Sequence, residues 1–166
     1  MPDATARGGV TSPAGRGGAP PPCVCCAIAR GDVPAFRVLD DETALAFLDH
    51  RPLFPGHCLL IPREHHETLA DLPRALLEPL FARAQRLAVA VEDALGADGT
   101  FVAVNNRVSQ SVAHLHVHVV PRRRGDGLRG FFWPRQRYAD GEAMESTRQA
   151  IASSLAALDG GAVASR

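Results

Sequence analysis

Three histidines at alternate positions, His114, His116 and His118, are the residues of this chain best suited to chemistry. They are interleaved with Leu115, Val117 and Val119. On a strand, residues at i, i+2 and i+4 share one face and the intervening residues share the other. The pattern therefore predicts an apolar face for a core and a second face carrying three imidazoles. Imidazole changes charge near neutral pH, with an unperturbed pKa of about 6.5. Such a row offers two chemistries. Two rings about 7 Å apart at Cα can converge on one metal. Alternatively, three rings cradle an anion while one attacks it as a nucleophile. Surface histidines with no role are the remaining reading, and period-two spacing beside apolar partners argues against it.

The cysteines form a second group. Cys23, Cys25 and Cys26 are crowded together and Cys58 stands apart. This is not the framework of a disulfide-rich secreted domain, and such crowding points to metal or redox use. Cys23 and Cys26 make a C-x-x-C, and His65 follows the apolar run that Pro62 stops. A redox pair is the weaker reading, because nothing thioredoxin-like surrounds the cysteines. Cys25 and His66 are neighbours that compete as ligands.

These side chains need elements to position them. Residues 36–39 and 43–48 are β-like runs separated by Asp40, Asp41 and Glu42, a hairpin signal. Residues 57–61 form a short apolar strand. Leu76, Leu77, Leu80, Phe81, Ala84, Leu87, Ala88, Val91 and Leu95 recur at helical spacing. Pro73 suits the first turn of that helix and Gly96 its end. Pro79 costs about 3 kcal/mol inside a helix, which predicts a kink or a later start. Residues 101–104 form another strand, followed by the histidine strand. Met144, Arg148, Ile151, Leu155 and Leu158 predict a terminal helix. Five strands in mostly sequential order with two helices read as α+β with an antiparallel sheet. Residues 1–22 are rich in Gly, Pro, Ala and Arg and are expected to be a disordered tail. Residues 23–140 are expected to form the domain, and residues 141–166 a C-terminal helix and tail.

Bulk composition narrows the function. A chain of 166 residues suits one domain. Its formal net charge of zero argues against general nucleic-acid binding. The sequence contains no Lys, which excludes a P-loop and Schiff-base catalysis. It has no G-x-S-x-G elbow and no H-E-x-x-H. No run approaches the roughly 20 apolar residues of a membrane span, and the N-terminus lacks an apolar signal segment. The expectation is a cytoplasmic protein without a membrane partner.

The segment 110–122, QSVAHLHVHVVPR, resembles the signature of the histidine-triad (HIT) family, His-φ-His-φ-His-φφ with φ apolar. The resemblance extends to CVCCAIARGDVPAFRVLDDETALAFLDHRPLFPGHCLLIPREH, and to the following helix and the strand ending Val104-Asn105-Asn106. It covers about residues 23–138. It implies a HIT-type fold: an antiparallel sheet of about five strands, one long helix and a C-terminal helix.

The family's chemistry is hydrolysis or nucleotidyl transfer at the α-phosphate of a nucleoside 5′-phosphate derivative. The leaving group would be linked through P–N, as in a phosphoramidate, or P–O–P, as in a dinucleoside polyphosphate. By resemblance, His116 is the nucleophile and forms a covalent nucleotidyl-histidine. His118 donates to phosphate or leaving-group oxygens. Gln110 and Ser111 stand where the family places phosphate donors, and Asn105 matches an Asn on the neighbouring strand. Asp49 would accept from the ribose hydroxyls, with Phe47, Leu48 and His50 along the base. His57 would support the triad from beneath. The substrate would be a purine nucleotide or derivative.

Related proteins hold zinc with two Cys, a His and the first triad His. Mapped here, the ligands are Cys23, Cys26, His65 and His114, a closed set that suits a structural Zn²⁺. The resemblance also implies a homodimer, with Trp133-Pro134 reaching toward the partner's site. Phe131, Phe132 and Trp133 otherwise suit a local core. Arg122, Arg123 and Arg124 read as a solvated face.

One departure from the family stands out. The turn between Asn105 and Gln110 is only Asn106-Arg107-Val108-Ser109, shorter and poorer in Gly than usual. Arg107 stands where Gly is expected, and either reaches the phosphate or is solvated. Two rival functions remain. One is a metal-dependent hydrolase with a catalytic zinc on the H-x-H pair. The other is a nucleotide-binding regulator with vestigial activity.

Overall fold

The computed structural model describes residues 23–128 and 137–160, with side chains as far as residue 153. The elements in chain order are α1 (Val24–Arg30), β1 (Arg37–Asp40), β2 (Ala44–Leu48), β3 (Cys58–Pro62), α2 (Arg74–Leu95), β4 (Gly99–Val104), β5 (Val117–Arg122) and α3 (Gly141–Gly160). The strands form one sheet in the order β1-β2-β3-β5-β4, and every pairing is antiparallel. β5 is thus inserted between β3 and β4, which run parallel to each other and are joined through α2. The fold is the expected α+β arrangement.

The alternation of side chains sorts the sheet into two faces. Ala44, Ala46, Cys58, Leu60, Val117 and Val119 pack with Leu80, Ala84, Leu87 and Val91 of α2. Leu45, Phe47 and Ile61 face the other way and pack with Cys25, Ile28 and Ala29 of α1. β2 is apolar at nearly every position because it is covered on both sides. Leu115, Val117 and Val119 are fully buried, as the histidine pattern predicts.

Four expectations need correction. α1 was not foreseen, because seven residues around the cysteines are too few to show helical periodicity. Pro79 neither delays nor divides α2, which runs from Arg74 to Leu95. Its missing N–H removes only the bond to the Ala75 carbonyl, and Ala75 is exposed to water near the helix start. The histidine strand begins only at Val117. His114 and His116 lie just before it, where His114 N–H turns back to Val112 O at 2.8 Å and Leu115 N–H bonds His66 O at 2.6 Å. The arginine run is not simply solvated. Arg122 pairs with Asp126 at 2.6 Å, and Arg123 donates to the Leu95 and Gly96 carbonyls at the end of α2.

Gly56 turns the loop into β3 with φ at +95, and a Cβ there would collide with the Leu95 side chain. The hairpin β1–β2 is tied to α2 by Arg83, whose Nε lies 2.7 Å from Asp41 Oδ2. That contact holds the Asp41 carboxyl down at about 2. No described helix is long and apolar enough to cross a membrane.

Candidate active site and metal centre

The triad segment divides between two neighbouring sites. His114 turns toward the N-terminal cysteines. Its Nδ1 lies 3.4 Å from Cys23 Sγ and 3.5 Å from Cys26 Sγ, and His65 Nδ1 lies 3.3 Å from Cys26 Sγ. Cys23 is the N-cap of α1 and Cys26 sits one turn on, so the helix brings both thiols to one side. All four ligand atoms fall within 4.8 Å of one another. With Zn–S of about 2.3 Å and Zn–N of about 2.1 Å, a tetrahedral zinc has S···N edges of about 3.6 Å. The three S···N separations of 3.3 to 3.5 Å lie close to that edge.

The second nitrogen of His114 supports the same reading. His114 Nε2 lies 3.0 Å from Pro62 O. A carbonyl can only accept, so Nε2 carries the proton and Nδ1 presents its lone pair to the thiols. This is the outer hydrogen bond by which proteins set the tautomer of a metal-binding His. Cys25, one residue away, is buried among core residues. Burial, reinforced by Cys23 and Cys26, pushes its thiol up to about 12, so it is an inert core side chain. His66 is not one of the four, and its Nε2 lies 3.6 Å from Glu64 Oε2.

His116 and His118 form the other site. Their rings sit 4.9 Å apart, edge to face. His118 is in register with Leu59 of β3 and Ala103 of β4, at the centre of the sheet. His116 Nδ1 lies 2.7 Å from the His114 carbonyl. The carbonyl has no proton to give, so the neutral ring donates from Nδ1. Its Nε2 is therefore the bare nitrogen, with a lone pair available for attack.

His118 is set in the opposite sense. Leu53 N–H donates to His57 Nδ1 at 3.3 Å, so His57 carries its proton on Nε2. His57 Nε2 lies 3.0 Å from His118 Nδ1, which then accepts. The His118 proton is left on Nε2, which is buried and has no partner among the described residues. Two adjacent imidazoles thus present a lone pair and an N–H donor. Asp49 Oδ2 stands 3.5 Å from His57 Nδ1 and favours a charged His57, but burial outweighs it and the ring is shifted down.

Burial, helped by His116 and His57, lowers His118 from 6.5 to about 4. The folded ring binds a proton less readily than the unfolded one. Its contribution to stability is complete above about 6.5 and is lost as pH falls toward about 4. The melting temperature should fall through this window, and fall less steeply in His118→Gln. An equally steep profile in that variant would contradict a neutral, buried His118.

Of the expected nucleotide-binding residues, Asp49 stands beside His57, and the others lie on the segments that flank the triad. Asp49 follows β2, and its Oδ1 caps Arg51 N–H at 2.8 Å. Asn105 follows β4 and is half-buried, and Ser111 is exposed just before the triad. The carboxamide of Gln110 is engaged by main-chain groups of Arg107, Glu67 and His114. Phe47 packs into the α1 cluster, whereas His50 is solvent-exposed. Arg107 is exposed, and its charge is felt by Asp71, whose carboxyl Thr68 chiefly holds low. Its charge therefore lies toward the 3-10 turn Leu69–Asp71. Phe131, Phe132, Trp133 and Pro134 lie outside the described residues. Sequence reasoning missed Asn106, whose Oδ1 accepts Leu69 N–H at 2.9 Å and ties the two loops together.

The HIT domain model matches residues 30–125. The chain belongs to the HIT family. The crystal structure of SMU.412c from Streptococcus mutans superposes with a TM-score of 0.74 at 32% identity, covering 93% of this chain and 99% of that one. A zinc-bound histidine-triad protein from Mycobacterium smegmatis is 40% identical, with a TM-score of 0.62 over 82% of this chain and 97% of that one. The adenosine 5′-monophosphoramidase of Saccharomyces cerevisiae is 35% identical over 118 residues, 69% of this chain and 71% of that protein.

Proposed function

We propose that this HIT protein hydrolyses or transfers the nucleotidyl group of a nucleoside 5′-phosphate derivative, with His116 as the nucleophile. The observation that carries the reading is the tautomer of His116, fixed by its 2.7 Å contact with the His114 carbonyl. His116 Nε2 attacks the α-phosphorus, a P–N(His) bond forms, and the bond to the leaving group breaks. The departing nitrogen or oxygen takes a proton from solvent, and the attacking water of the second step returns one. Water then attacks the same phosphorus, the P–N(His) bond breaks, and the nucleoside monophosphate leaves. His118 Nε2–H donates to the phosphoryl oxygens, where charge grows in the transition state. Asp49 accepts from the ribose hydroxyls, and Ser111 and Asn105 donate at the phosphate. The yeast phosphoramidase makes a purine phosphoramidate the first substrate to test.

Cys23, Cys26, His65 and His114 hold a structural zinc in this reading. The rival with a catalytic zinc on the H-x-H pair is disfavoured, because His114 and His116 point to different partners. When bound, the zinc fixes α1 and the ring of His114. The partner in the assembly is a second copy of the chain. β4 is an edge strand with Val102 exposed, and such an edge is open to pairing.

A panel of adenosine and guanosine 5′-phosphoramidates and dinucleoside polyphosphates tests the reading. Release of the nucleoside monophosphate from at least one class is expected. Binding of nucleotides with no turnover of any would instead indicate a regulator.

A further inference from the structure

The turn before the triad contains the least relaxed backbone in the described chain. Val108 N–H returns to Asn106 O at 2.8 Å across Arg107, whose φ is 65. This is a γ-turn of the positive-φ kind, which is rare and strained. Ser109 follows with φ at 60, so two non-glycine residues occupy the left-handed region within three positions. Such backbone persists only where its surroundings hold it in place.

Gln110 supplies that hold. Its Oε1 accepts Arg107 N–H at 2.7 Å. Its Nε2 donates to Glu67 O at 2.6 Å and, more weakly, to His114 O at 3.4 Å. The partners themselves settle which way the carboxamide faces, because an N–H requires the oxygen and a carbonyl requires the amide hydrogens. The carboxamide is thus committed to main-chain groups at both its oxygen and its nitrogen. The His114 carbonyl is also the group that takes the Nδ1 proton of His116.

We propose that Gln110 is a positioning residue for His116 and not a phosphate contact. It clamps the strained turn to the segment at Glu67 and steadies the carbonyl that fixes the nucleophile's tautomer. This rests on the reading of His116 as nucleophile. A displacement of about 1 Å in a reacting group costs on the order of 10²-fold in rate, so a loosened carbonyl has a measurable effect.

The test compares full-length, zinc-replete wild type with Gln110→Met and Gln110→Glu. Met keeps the length and removes all three bonds. Glu keeps an acceptor for Arg107 N–H and loses both donations. kcat and KM are measured on an adenosine 5′-phosphoramidate and on a diadenosine polyphosphate, AMP affinity by calorimetry, and ring tautomers by long-range ¹H–¹⁵N NMR. Positioning predicts that kcat falls roughly 10- to 100-fold by the same factor on both substrates. KM and AMP affinity stay within about threefold, since only transition-state stabilisation is lost. The His116 spectrum should lose its pure Nδ1–H form. A phosphate contact predicts the reverse: KM and the AMP Kd rise, most in Gln110→Glu, while kcat and the tautomer are unchanged. That result overturns the proposal. If Gln110→Met does not fold, Gln110→Glu decides by the same criteria. Absence of turnover in wild type would count against the hydrolase reading alone, and the tautomer spectrum of the variants would still judge Gln110.

Discussion

His116→Ala should lower turnover by about 10³-fold or more, equivalent to about 4 kcal/mol of lost transition-state stabilisation. The expectation follows from the tautomers. His116 presents a bare Nε2 because its Nδ1 is committed to the His114 carbonyl. His118 presents an N–H because its Nδ1 accepts from His57. His118 cannot replace the nucleophile without reversing the chain that runs through His57 to Leu53 N–H. Nucleotide affinity should survive the substitution, because Asp49, Asn105, Ser111 and His118 are untouched. Turnover at the wild-type rate by a folded, zinc-replete His116→Ala protein would refute the mechanism. His118→Ala should be milder, since a hydrogen bond to developing charge is lost and not the attacking atom.

Removing the metal should have the second large effect, on stability. A ligand present at a thousand times its Kd adds about 4 kcal/mol to the folded state. In a domain of this size that corresponds to roughly 10 °C in Tm. The purified protein should contain one zinc per chain, and a strong chelator should lower its Tm by about that amount. Cys26→Ser should begin near the lowered value and respond little to chelator. Activity should fall together with Tm, because the ring of His114 is held by the metal site while its carbonyl orients His116. Zinc-free wild-type protein with a chelator-insensitive Tm, purified from zinc-supplemented cells, would contradict the metal centre.

The sequence showed the triad and the candidate metal cluster more completely than it showed how their side chains are held. Period-two spacing was enough to place Leu115, Val117 and Val119 in the core. The C-x-x-C, His65 and His114 were identified through family resemblance, and the fold gathers them within bonding range of one ion. The histidine roles depend on main-chain partners that no residue type announces: Pro62 O for His114, His114 O for His116 and Leu53 N–H for His57. α1 escaped notice because it is short and is built partly from the cysteines themselves. The unusual turn was visible only as a short loop. Only the backbone shows that Arg107, at a position where the resemblance leads one to expect Gly, and Ser109 both take positive φ. The main-chain groups that engage the Gln110 side chain are likewise ones that the sequence cannot place.

The central claim is a covalent bond between phosphorus and His116. It is tested most directly by mixing the protein with an adenosine 5′-phosphoramidate labelled in its phosphate, quenching in denaturant at high pH, and locating the label by peptide mapping. The account predicts an acid-labile adenylyl adduct on the peptide containing His116 in wild type, and none in His116→Ala. Turnover of that substrate with no adduct at any quench time, or with the label on another residue, would contradict it.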